Sequence, residues 1–321
     1  MNGTKDMTGT QAGRAALTRS AAYASIATAL FLVGLKAWAA WHTGSTAMLG
    51  SLADTALDLV ASLATLIGVW VAAHPADRHH RFGHGKAEAV AALFQIVLIS
   101  LSAVGIALRA VEQFLSGAGT ESAREGIAVS VIAMAATLAL LAWQRHVIRR
   151  TGSLAIATDH VHYQSDLLLN LAVIAALVLD QYLALTGSDP LFGLAIALWL
   201  AWGARKAWHN VVGHLMDREW PEERKQRLLD LISGQPGLRG VHDLRTRMAG
   251  SHDFAQFHIW LDGAMALSEV HRVMDALEVR IAREFPDTEI LIHPDPEGLM
   301  DETGMAAEEM LPGKRQDQRE G

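Results

Sequence analysis

Between Ala89 and Leu108 the chain carries no charged residue, and the same holds between Gly126 and Trp143. Runs of about 18 or more such residues match the roughly 30 Å hydrocarbon core of a bilayer. Core helices of soluble proteins rarely need that length. Half of the residues are hydrophobic, which is rich for a soluble chain. The pattern predicts six membrane helices at about 18–41, 46–73, 87–115, 124–148, 154–184 and 190–212. The links from His42 to Ser45 and from Thr186 to Asp189 are short, so their flanking helices form antiparallel hairpins.

Lys and Arg set the orientation. The segments Arg78 to Lys86 and Arg145 to Arg150 are basic and fall on one side, whereas the opposite links hold almost no Lys or Arg, Arg124 excepted. Both termini are therefore expected in the cytoplasm, with the protein in the inner (plasma) membrane. Trp38, Trp41, Trp143 and Trp208 fall near the predicted helix ends, where amphipathic rings are favoured. The start of the chain lacks the basic region, short apolar run and cleavage site of a signal peptide, and residues 1–17 read as a mobile cytoplasmic tail.

Beyond Asp217 the character changes. Pro221 to Ser233 reads as an amphipathic helix, with Pro221 in its first turn and Gly234 at its end. Val241–Met248, Phe254–Leu261 and Glu289–His293 are strand-like. Val270, Val273, Met274, Leu277 and Ile281 recur at helical spacing. The order αββαβ predicts a small α+β domain with helices on one sheet face, of ferredoxin-like or metallochaperone-like type. The expected division is a transport domain over 18–214, a cytoplasmic domain over 215–298 and a disordered tail over 299–321.

There is no cysteine, which excludes disulfides and thiolate metal sites. A metal is then held by His, Asp, Glu, amides, carbonyls or water. A net charge of -7 without a basic stripe gives no sign of nucleic acid.

Asp54 and Asp58 lie inside the second apolar segment, four apart and stacked on one helix face. A charged Asp at bilayer depth costs about 2.5–3.5 kcal/mol on insertion scales. A dication would offset both charges together. His162 and Asp166 repeat this spacing in the fifth segment. Facing one another, the two pairs offer three carboxylates and one imidazole, enough to enclose a tetrahedral Zn²⁺.

These residues, with Phe82-Gly83-His84-Gly85-Lys86-Ala87-Glu88, His162-Tyr163-Gln164-Ser165-Asp166, His242-Asp243-Leu244-Arg245-Thr246-Arg247 and His293-Pro294-Asp295-Pro296, resemble the cation diffusion facilitator family. The likeness runs from about residue 15 to 298 and is strongest to the family's bacterial zinc and iron efflux pumps. It implies a homodimeric divalent-cation exporter, with Asp54, Asp58, His162 and Asp166 as the transport site. It implies a second metal site at Asp77, His80 and His84, a regulatory binuclear zinc site formed by His242, His258, His271, His293 and Asp295, and a hinge pair of Lys86 with Asp217. Pro294 departs from the glutamine that the bacterial relatives carry there. By the same resemblance His162 goes with zinc and cadmium, as an imidazole should; iron and cobalt stay open. Zinc is both cargo and regulatory ligand, and no organic cofactor is expected.

Zinc binding expels protons from its ligands, and an imidazole titrates near neutral pH in isolation. Metal/proton antiport by alternating access follows as the expected mechanism, with protons as counter-substrate. A channel would use similar acidic residues without proton coupling. An intramembrane metalloenzyme would need a general base and an open metal position, and no His-Glu-x-x-His pattern occurs, so no enzyme is expected.

The remaining polar positions read plainly. His42 and His74 are interfacial, His209 and His214 lie around the end of the last helix, His146 is in a basic loop, His252 is solvated and Lys36 snorkels from a helix end.

Overall fold

In lipid every backbone polar group needs a partner within the protein, and a helix supplies all of them locally. Among the described residues the first part of the chain forms six long helices: α1 (Gly3–Thr43), α2 (Thr46–Ala72), α3 (Ala87–Ser116), α4 (Ile127–Thr151), α5 (Leu154–Leu183) and α6 (Ser188–Leu215). The structure is a computed structural model and describes residues 3–43, 46–116, 127–183, 188–250 and 252–299. Spans within α1 to α4 are long and apolar enough to cross a membrane. Helices α5 and α6 match them in length but carry Asp159, Asp166 and Asp180, and Asp189, Arg205 and Lys206, respectively. Arg124, the expected start of α4 and most of the expected C-terminal tail lie outside the described residues, as do parts of the two short links.

Two expectations about the first helix change. Residues 3–17, expected as a mobile tail, are helical and belong to α1; Ala12, Arg14, Ala15, Ala16 and Leu17 favour this, whereas Gly3, Thr4, Thr8, Gly9 and Thr10 do not. Lys36 does not merely snorkel: its Nζ donates to Thr55 Oγ1 at 2.6 Å, joining α1 to α2. His146 also belongs to α4 rather than to a loop, with its ring stacked on Trp143 at 5.6 Å.

One compact unit spans Ala12–Leu215. Its interior is made of small residues, with Ala89, Ala92 and Ala103 of α3 buried against Ile196, Leu200 and Ala204 of α6. Small side chains let helix backbones approach closely where the hydrophobic effect gives no drive between helices. The tightest approach is at Gly68, where an added Cβ would collide with Ala91 and press on the Ala87 carbonyl. Large apolar residues such as Leu101, Leu108 and Leu198 point outward. Trp38, Trp41, Trp143 and Trp208 are exposed near helix ends, as an interfacial role requires.

The other unit takes in the chain from Met216 onward together with the first eleven residues. It contains α7 (Glu222–Ser233), β1 (Gly240–Ala249), β2 (His252–Leu261), α8 (Leu267–Glu284) and β3 (Thr288–Pro296), in the predicted order. Strand β2 is central, antiparallel to β1 and parallel to β3. Pro221 is the N-cap of α7 rather than its first turn, and Gly234 closes that helix at φ -78, without the left-handed backbone its identity suggested.

Alternation along β2 sends Ala255, Phe257, Ile259 and Leu261 into a core with Leu228 and Ile232 of α7 and Leu277 and Ile281 of α8. Each such large side chain, fully buried, contributes about 1.5–3 kcal/mol. The opposite set of β2 positions includes His258 and Trp260. This leaves one face of the sheet free to carry polar chemistry.

Candidate metal centres

Helices α2 and α5 bring Asp58, His162 and Asp166 together, with one ligand atom of each within 4.8 Å of the others. His162 Nε2 lies 2.9 Å from Asp58 Oδ1 and 3.9 Å from Asp166 Oδ2. His162 and Asp166 are one turn apart on α5, so the helix itself sets their spacing. His162 is buried and Asp58 half-buried. Asp54 does not join this cluster: it sits one turn earlier on α2 and is exposed. Two carboxylates and an imidazole form a hard-to-intermediate donor set that suits a divalent transition metal.

A second cluster forms between α2 and α3. Asp77, His80 and His84 converge within the same limit. His80 Nδ1 is 3.3 Å from Asp77 Oδ1, and His84 Nε2 is 3.5 Å from Asp77 Oδ2 and 3.1 Å from His80 Nδ1. The loop shapes itself: Asp77 Oδ1 accepts the backbone N–H groups of His79 and His80, and Gly83 takes the left-handed turn at φ 79. The His80 N–H above all holds the Asp77 carboxyl below its usual range, with His79 and the imidazoles of His80 and His84 adding to the effect. His84 Nδ1 is buried without a hydrogen-bond partner.

The third cluster lies on the free face of the small sheet. His242, His258 and Asp295 converge, one from each strand. Asp295 Oδ2 is 2.9 Å from His258 Nδ1 and 3.3 Å from His242 Nε2. Register explains the meeting, since His242 pairs with His258 across β1 and β2, and His258 with His293 across β2 and β3. His293 stands at the rim, 57% exposed, with Nε2 3.3 Å from Asp295 Oδ1.

His242 is 1% exposed; its Nδ1 makes no hydrogen bond, and its Nε2 faces Asp295. Burial and the neighbouring His258 hold its imidazole below the usual range, which favours the neutral form a metal needs. A buried ring with a free nitrogen beside a carboxyl and a second imidazole fits a bound cation. His271 does not join: it lies 73% exposed on α8, which covers the opposite sheet face, and faces Asp275 at 3.6 Å. Pro294 alternates away from His293 and Asp295 on an edge strand, where a residue without an N–H is tolerated. A glutamine there would point away from the His258–Asp295 pair.

Lys86 Nζ donates to the Leu215 carbonyl at the end of α6, 3.2 Å away, and Asp217 faces Arg247 at 3.7 Å. The pairing of Lys86 with Asp217 remains a proposal.

Sequence reasoning missed two features. Asp243, in left-handed backbone at a bulge in β1, holds Oδ2 3.8 Å from His258 Nε2 while Oδ1 accepts from Arg245 at 3.0 Å. Asp159 is fully buried in α5, inside a web of side chains from α1, α3 and α4. The signal for Asp159 was present, because an ionisable residue inside a membrane helix is rare enough to mark function.

Residues 22–216 match the cation efflux transmembrane domain, and residues 220–297 the cytoplasmic domain of cation efflux proteins. The chain is similar to the cation-efflux pump FieF of Serratia proteamaculans, 41% identical over 88% of this chain and 94% of that one. The FieF pump of Klebsiella pneumoniae is 38% identical over 90% and 95%. A solved CzrB chain is 38% identical over 25% of this chain and 99% of its own, with a TM-score of 0.23.

Proposed function

The chain belongs to the cation efflux family, and from that premise we propose that it exports a divalent metal ion, zinc foremost, in exchange for protons. The convergence of Asp58, His162 and Asp166 between α2 and α5 carries this reading. Zinc takes four ligands in tetrahedral geometry, and these three plus Asp54, one turn along α2, supply four protein donors. Cadmium, iron and cobalt are the competing cargoes.

The driving force follows from the ligands. Zinc binding requires a neutral imidazole and ionised carboxylates, so each loading event releases protons and acid on the far side promotes unloading. His162 Nε2 already faces Asp58 at 2.9 Å, and a metal at Nε2 has to displace that contact. Proton and zinc therefore compete for the same atom. Alternating access of a buried site between the two membrane faces completes the cycle.

Its likeness to bacterial efflux pumps places the protein in the inner membrane by this reading, and the distribution of Lys and Arg puts both termini in the cytoplasm. The cytoplasmic domain belongs to a class described by dimerisation, and we assign this chain a homodimer. Its His242–His258–Asp295 cluster, with His293 at the rim, would sense metal, and binding would favour one arrangement of the two protomers by differential affinity. Asp77, His80 and His84 form a further cation site, and Lys86 with Asp217 hinges the domains.

Reconstitution in liposomes carrying a metal-sensitive dye tests the exchange. Zinc flux that follows an imposed pH gradient and vanishes in Asp58→Ala is expected. Flux indifferent to the gradient would indicate a channel and overturn the antiport.

A further inference from the structure

Outside the metal clusters, Asp159 of α5 is a buried ionisable group that accepts hydrogen bonds from three other helices. Its Oδ2 accepts from Ser25 Oγ of α1 at 2.6 Å and from Gln144 Nε2 of α4 at 2.7 Å. Its Oδ1 accepts from Gln95 Nε2 of α3 at 2.8 Å. Gln95 also reaches Thr65 Oγ1 of α2 at 2.5 Å, and Gln144 Nε2 reaches Ser25 Oγ at 3.0 Å. Ser25, Thr65, Gln95, Gln144 and Asp159 are each at most 1% exposed. One carboxyl thus gathers helices α1, α3 and α4 directly and α2 through Gln95.

Tyr163, one turn further along the same face of α5, extends the web. Its hydroxyl donates to the Ser25 carbonyl at 3.2 Å and bonds Ser62 Oγ of α2 at 2.9 Å. The metal-facing pair, His162 and Asp166, lies on a strip about 60° around the helix from Asp159 and Tyr163, because three residues fall short of a full turn. The two strips are mechanically linked. Asp58 and Ser62 are one turn apart on α2, Ser62 holds Tyr163, and Tyr163 adjoins His162, which faces Asp58. Rotation of α5 would break this closed circuit and move both ligands of that helix at once.

Apolar packing could hold four helices together without placing a carboxyl at bilayer depth, which is an unfavourable choice unless it does something packing cannot. Hydrogen bonds are directional where apolar contacts are not, so they select a single rotation. We infer that Asp159 is a positioning residue of the transport site: by drawing Ser25, Gln95 and Gln144 onto α5 it sets the rotation at which His162 and Asp166 meet Asp58. The inference rests on the proposed reading of that trio as the cation site. Groups hydrogen-bonded directly behind metal ligands change affinity roughly 10- to 100-fold when removed, and Asp159, which acts through helix rotation and not through a bond to a ligand, is expected near the lower end of that range.

The test is cobalt(II) binding to the full-length protein, followed by its visible absorption, with Asp58→Ala identifying the membrane-site signal by difference. Asp159→Ala is expected to weaken that signal's affinity roughly tenfold or more and to alter its band shape. Asp159→Asn, which keeps the volume and one acceptor, should fall between. If Asp159→Ala does not fold, Gln144→Met and Tyr163→Phe, each removing one part of the web, are read in the same way. Unchanged cobalt affinity and spectrum in these variants, even with a lower melting temperature, would reduce the web to a structural role and overturn the inference. A cobalt signal that survives Asp58→Ala would instead remove the site reading, and this inference with it.

Discussion

His162 Nε2 stands 2.9 Å from Asp58 Oδ1, across the interface between α5 and α2. This distance is that of a charge-assisted or neutral hydrogen bond, and it uses the atom a metal would take. Substitution of Asp58 by Ala should therefore remove both the proton partner and a ligand. Metal affinity of the membrane site should drop by more than about 100-fold, beyond the effect usual for groups behind the ligands. Equilibrium binding to the purified protein measures this, and retained affinity would place the site elsewhere.

Donor chemistry at position 162 sets preference among metals. His162→Asp converts the centre to an all-oxygen set, which suits manganese and other hard ions better than zinc. The ratio of zinc to manganese flux in liposomes should fall. Unaltered zinc preference would show that selectivity is set outside the ligands.

At the small sheet, His258 and Asp295 form the closest pair of the cluster at 2.9 Å. A metal that binds the folded state alone stabilises it, by about 2.7 kcal/mol at a hundred times the dissociation constant. Zinc should raise the melting temperature of the full-length protein and a chelator lower it. Part of that gain should disappear in His258→Ala. An equal zinc shift in the variant would mean that the cluster does not bind.

Arg224 spans two interactions in the cytoplasmic domain. Its guanidinium lies 3.8 Å from the Trp220 ring centroid and bridges Asp253 at 2.6 Å, with both side chains largely covered. Arg224→Ala should destabilise this domain by about 1–2 kcal/mol, from the lost cation–π contact and ion pair. Arg272→Ala, which removes an exposed contact to Glu269 at 3.5 Å, should leave denaturant unfolding unchanged.

Lys86 reaches the Leu215 carbonyl at the end of α6, where a cation is favoured by the helix dipole. If it also hinges the domains through Asp217, Lys86→Ala should lower zinc flux and weaken the dimer together. Unchanged flux and unchanged mass by light scattering would remove the hinge.

Much of this was legible without coordinates, because its causes are local. Uncharged runs announce membrane helices, and the spacing of Val270, Val273, Met274, Leu277 and Ile281 announces α8. His162 and Asp166 can be paired on paper since one helical turn joins them. The start of the first helix was not legible, because Gly3, Thr4, Thr8, Gly9 and Thr10 are poor helix formers and give no local helical signal.

What the sequence by itself determined is the set of elements, their order, and the residue types available to hold a cation. Each of these follows from properties of neighbouring residues: hydropathy, period and side-chain chemistry. Only the tertiary structure decided which of these side chains meet. Asp58 faces His162 while Asp54 stays apart, His242 closes on Asp295 while His271 remains on the helix of the other face, and Asp159 becomes the hub of four helices. Those choices depend on helix rotation and strand register, which are set by contacts between segments from 15 to 134 residues apart and leave no local trace.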